Sequence, residues 1–140
     1  MISISFDAEC VEMPVSDEQK LRNWIEKVAH THNRTVGRIA YIFTNDVTIL
    51  DINRKFLNHD YYTDIITFDY SRRKLISGDL YISIDTVRTN ADMMNVSFEK
   101  ELMRVIIHGV LHLCGIDDKG EGQREIMEKH ENEALTLLFG

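Results

Sequence analysis

The chain has 140 residues, 44% hydrophobic and 28% charged, a balance that fits one soluble globular domain built on one core. Its net charge of −7 argues against a general nucleic-acid coat, which needs a positive face, but leaves room for a local basic groove. No apolar run approaches the roughly 18–20 residues of a membrane span, and Cys10 and Cys114 lie too far apart in sequence for a CxxC knuckle or a disulfide framework.

The opening MISISFDAEC lacks the basic region and apolar block of a secretory signal, so a cytoplasmic location is expected. ISISF (residues 2–6) alternates and is rich in β-branched residues, which predicts a short strand. Asp17 to His32 carries Leu21, Trp24, Ile25 and Val28 at helical spacing, with Ser16 or Asp17 as N-cap. RIAYIFT (38–44) predicts a second strand. Asn45 or Asp46 then caps a helix whose apolar side is Ile49, Leu50, Ile52, Phe56 and Leu57. DIITFDY (64–70) and DLYISI (79–84) predict strands joined as a hairpin through SRRKLISG. A short helical stretch follows Asp85, Ser97 caps FEKELMRVIIHGVLHLC, and a last helix runs from near Lys119 to Leu138, packing through Ile126, Met127, Leu135, Leu137 and Leu138. The order β-α-β-α-β-β-α-α-α predicts one α/β (α+β) domain over residues 1–140. Its small mixed four-stranded sheet is packed with about five helices around a central buried one.

That central helix is apolar nearly all round, which makes its polar residues informative. With about 100° per residue and Glu101 set at zero, Arg104 falls near −60°, His108 near −20° and His112 near +20°. The four form one narrow polar seam. His108 and His112, one turn apart, can grip one ion, and Gly115 can stop the helix so that Asp117 or Asp118 turns back towards them. Such a set leaves zinc an open position, as catalytic sites do. The competing reading is a pair of core histidines bonded to backbone or carboxylates. Cys114 falls about 200° from His112, so it is expected to be a buried structural thiol. Gly109 sits mid-helix at a cost that a close approach would offset. It also stands where HExxH proteases carry their glutamate, so a protease reading lacks its general base.

HGVLHLCGIDD resembles the signature HGxLHLxGYDH of the YbeY family of rRNA maturation factors. INRKFLNHDYYTDIITF, SGDLYIS and MEKHE are similar to that family's LNxxYRxxDxxTDVLSF, GDIxIS and MxxxE segments. The resemblance spans roughly residues 40 to 138. It implies a single-strand-specific endoribonuclease with one Zn2+ ion, acting on ribosomal RNA with the ribosome or its assembly proteins as partners. The implied tasks are maturation of the 3′ end of 16S rRNA and 70S ribosome quality control. By position, His108 and His112 match two zinc ligands, and Asp118 stands where a third histidine is expected. Carboxylate oxygen is an acceptable zinc donor. Leu57 stands where the family has an active-site arginine, so the phosphate-binding cation must come from elsewhere: Arg54, Lys55 and Arg104 are candidates, and Arg104 is alternatively a support behind the metal ligands. Glu101 is a partner for Arg104 or a base. Thr63 and Asp64 border the cleft on this reading, and Arg72, Arg73 and Lys74 are either a solvated turn or an RNA-binding cluster. His30, His32 and His130 are expected at the surface or at helix ends, as is His59, which precedes the TDIITF block. The rival classes are a non-enzymatic assembly factor with a structural zinc and a metallohydrolase of another substrate.

Overall fold

A computed structural model describes residues 3–57 and 63–140. His59 and Ile2, both singled out by the sequence, lie outside the described residues. The elements run β1 (Ser3–Ala8), α1 (Glu18–Thr31), β2 (Thr35–Thr44), α2 (Asp46–Phe56), β3 (Ile65–Asp69), β4 (Leu75–Ser83), α3 (Ile84–Met94), α4 (Phe98–Leu113) and α5 (Gln123–Phe139). No described helix is long and apolar enough to cross a membrane.

The sheet is mixed, in the order β1-β2-β4-β3. β1 and β2 pair in parallel, joined across α1, and β2 and β4 also pair in parallel, with α2 and β3 between them in the chain. β3 turns antiparallel onto β4 through the predicted hairpin, closed by a bridge between Arg72 and Leu75 with Arg73 at positive φ. Alternation along β2 buries Ile39, Tyr41 and Phe43 completely. Burial raises the pKa of the Tyr41 phenol, whose hydroxyl donates to the Ile106 carbonyl of α4 at 2.9 Å. Trp24 ties α1 to α5 by donating from its indole to the Ala134 carbonyl at 2.8 Å.

α4 crosses the sheet at two glycines. A methyl group on Gly109 would meet Leu80 Cδ2 at 2.1 Å and Ile65 Cδ1 at 3.0 Å, and one on Gly78 would meet the Phe68 carbonyl at 2.7 Å and Leu113 at 3.1 Å. The mid-helix glycine is thus the point of closest helix–sheet approach, which offsets its conformational cost. Of the residues expected to pack the last helix, Met127 and Leu135 are buried while Ile126 and Leu137 are exposed. The helix also starts later than expected. Gly120 and Gly122, both at positive φ, hold the chain in a turn until Gln123.

Candidate active site

The site forms where α4 ends. Cys114 is its C-cap and Gly115, at φ +95°, follows. Gly115 N–H donates to the His112 carbonyl at 2.9 Å and Ile116 N–H to the Leu111 carbonyl at 3.1 Å, the paired bonds of a Schellman stop. Arg34 adds a bond to the Cys114 carbonyl at 3.1 Å. The Asp117 carboxylate then accepts from the N–H groups of Asp118 (2.7 Å) and Lys119 (3.1 Å), which sets the next turn and draws its pKa down. Asp117 is therefore occupied with backbone, and it is Asp118 whose Oδ2 comes within 3.4 Å of His108 Nε2.

Behind His108 stands a residue that the sequence reading did not single out. Glu131 of α5 is buried, and its Oε2 lies 2.7 Å from His108 Nδ1. Its Oε1 accepts from Arg104 Nη1 at 3.2 Å. Arg104 in turn grips both oxygens of buried Glu101, through Nε at 2.8 Å and through Nη2. A signal for Glu131 was present: Met127, Glu131, Ala134 and Leu135 form the buried stripe of α5, with an acid in one apolar position. It is also the last residue of the MEKHE segment.

The electrostatics follow from this chain of contacts. An ionised carboxylate only accepts, so Glu131 accepts a hydrogen bond from His108 Nδ1–H, which leaves Nε2 as the ring nitrogen facing Asp118. At 3.4 Å, Nε2 and the Asp118 carboxylate form an ion pair when the ring is protonated and offer two donor atoms to a cation when it is neutral. Burial by itself would lower the His108 pKa. The hydrogen bond and charge of Glu131, with the charges of Asp118 and Asp64, outweigh it and raise the pKa, so the site attracts positive charge. The spacing also suits a metal. Zinc–ligand bonds of about 2.0–2.2 Å set tetrahedral ligand atoms roughly 3.3–3.5 Å apart.

His108, Asp118 and Arg104 line two adjoining clefts. One, of about 340 Å³, also has Asp64, Asn90, Met93, Met94 and Arg124 on its walls; the other, of about 200 Å³, has Arg124, Glu128 and Glu131. Thr63 lies next to Asp64, its hydroxyl 3.4 Å from the Ile65 carbonyl. His112 is exposed, and among the described residues no three His, Cys, Asp or Glu side chains converge into a metal-holding group. Two of the three predicted arms are together; the third is one turn away on the same helix. Glu101 lines neither cleft and is fully engaged by Arg104. Lys55 pairs with Asp51 on α2 at 3.1 Å, and Arg54 is exposed beside it; neither lines the clefts. Arg72, Arg73 and Lys74 are exposed at the far end of β3 from Asp64, roughly 17 Å along the strand. Cys114 is buried, as expected, and burial pushes its thiol up to about 11.

A small α/β enzyme with a histidine–carboxylate pair in an open cleft, backed by buried charges, is the class these features define. The family profile described as Endoribonuclease YbeY matches residues 5–138. The chain is 56% identical over 135 residues to Endoribonuclease YbeY of Phocaeicola vulgatus, covering 96% of this chain and 98% of that one. It is 53% identical over 137 residues to the Parabacteroides distasonis protein of that name, covering 98% and 96%. The solution structure of TM1509 from Thermotoga maritima superposes with a TM-score of 0.62 at 26% identity, covering 96% of this chain and 90% of the other. The chain belongs to the YbeY endoribonuclease family.

Proposed function

We propose a specific site chemistry for this chain, whose family membership makes it a zinc-dependent endoribonuclease of ribosomal RNA maturation. His108 Nε2, Asp118 and His112 would hold one zinc ion. The 3.4 Å approach of His108 Nε2 to the Asp118 carboxylate carries this reading. His112 is exposed one turn from His108 on the same helix, and this reading requires its ring to turn towards the pair. The bound ion supplies a Lewis acid that polarises a phosphoryl oxygen and makes a bound water more acidic.

The protein's own groups do the positioning. Glu131 holds the His108 ring and its tautomer, and Arg104 holds Glu131 while neutralising Glu101. Asp64 borders the cleft in which a single strand of ribosomal RNA lies. The exposed cations Arg72, Arg73 and Lys74, with Arg54 and Lys55, offer outlying contacts to the RNA backbone or the ribosome. The substrate strand is at the 3′ end of 16S rRNA, and the same activity serves 70S ribosome quality control.

Zinc content and cleavage of single-stranded RNA, measured side by side for wild type, His112→Ala and Asp118→Ala, test the assignment. Both variants should lose zinc and cleavage together. Full zinc content in Asp118→Ala would remove Asp118 from the ligand set, and the same result for His112→Ala would remove His112.

A further inference from the structure

The clefts beside His108 are lined by acids: Asp64, Asp118, Glu128 and Glu131. A polyanionic strand needs a cation there that is free to meet it. Two guanidinium groups line both clefts, Arg104 and Arg124. Arg104 is already committed, since each of its three nitrogens donates to Glu101 or Glu131. Arg124 is exposed and makes no ion pair or hydrogen bond among the described residues. Its position is also one that helix stability does not explain. It is the second residue of α5, and a cation in the first turn opposes the helix dipole.

We propose that Arg124 binds the phosphodiester of the RNA strand next to the His108–Asp118 pair, as the substrate-binding cation that the sequence could not locate once Leu57 replaced the expected arginine. Its planar fork takes two non-bridging oxygens of one phosphate, and the exposed Met93 and Met94 form the facing wall of the larger cleft. This assignment rests on the endoribonuclease reading above and adds the residue that holds the strand.

The test compares wild type, Arg124→Gln, Arg124→Lys and Lys129→Gln. Lys129 is an exposed cation on the same helix, about 140° round from Arg124, so it controls for net charge. Binding of a fluorescent single-stranded RNA is followed by anisotropy across a salt series in chelator, and cleavage is measured in the zinc-loaded full chain. Arg124→Gln should bind about tenfold more weakly, with a salt slope smaller by about 0.7, at unchanged zinc content. Arg124→Lys should recover part of the affinity, and Lys129→Gln should match wild type. Arg124→Gln within about twofold of wild type with an unchanged slope overturns the proposal, as does an equal loss in Lys129→Gln. A wild-type chain that neither binds nor cuts RNA would instead remove the endoribonuclease reading, and this one with it.

Discussion

Replacing Arg104 with methionine is expected to cost the fold about 3–5 kcal/mol, the range for removing one member of a buried ion cluster. Glu101 is 1% exposed, and Arg104 is the group that meets both of its oxygens. Glu131 is 4% exposed and would keep only His108. The variant therefore leaves one buried carboxylate without its cation and weakens the support of a second. Against a total stability of about 5–15 kcal/mol this is a large share. At about 3 °C per kcal/mol for a domain of this size, Tm should fall by roughly 9–15 °C. Urea unfolding followed by tryptophan fluorescence reads the effect. Trp24 is the only tryptophan, it is buried, and its bond to Ala134 reports the α1–α5 contact. The double variant Glu101→Gln/Arg104→Met removes the orphaned charge and should recover most of the loss. A single variant within about 1 kcal/mol of wild type, or a double variant no better than the single, would refute the charge-pairing account.

Gly109→Ala gains helix propensity of roughly 0.5–1 kcal/mol but drives a methyl group into Leu80 in a closed core, so a net loss of about 1–2 kcal/mol is expected in the same urea titration. Thr44→Val should raise stability by about 1 kcal/mol, since the Thr44 hydroxyl is fully buried with no hydrogen-bond partner among the described residues; a lower Tm would count against that. His32 is held below its ordinary value of 6.5 by burial and by His130, with Glu133 pulling upward and Arg34 downward. Folding thus favours its neutral ring: that contribution is complete above about pH 6.5 and is lost as pH falls through the lowered folded-state value. His32→Gln should accordingly show a shallower fall in Tm on acidification than wild type, and parallel curves would contradict it.

The order of the elements and the polar seam of α4 were legible because both are local patterns. A 3.6-residue period and a cap residue act within one segment, and Ser97, Gly115 and the seam residues behave as their types dictate. Strand order was not legible, because nothing in β4 states that it enters between β2 and β3. Glu131 was missed for a related reason. An acid on an apolar stripe is a clue, but its partners His108 and Arg104 lie 23 and 27 residues away. The basic cluster at Arg72–Lys74 shows the converse. Its charge is plain in the sequence, yet antiparallel pairing of a five-residue strand places it at the end remote from Asp64. Helix α5 began late because the glycine turn at Gly120 and Gly122 outweighed the apolar period that follows.

The acid at position 118 changes the charge balance of the whole cluster. Along the contact chain from Glu101 through Arg104, Glu131 and His108 to Asp118, three carboxylates are answered by one guanidinium, which leaves two negative charges when the ring is neutral; Asp64 and Arg124 on the wall of the larger cleft add one charge of each sign. A divalent cation at Nε2 would cancel the two charges; a histidine at 118 would leave one charge and a positive excess once the ion was bound. On the proposed ligand set the carboxylate would draw a divalent ion to the site more strongly than a neutral ring and would donate more charge to it, so that water there would be less acidic. The raised pKa of His108 reflects the same field, because a proton there answers part of that negative charge. Tight loading and a more alkaline working range are thus predicted together from one residue, set in place by the Gly115 stop and the Asp117 turn, and a pH–rate profile that Asp118→His leaves unshifted would refute the link.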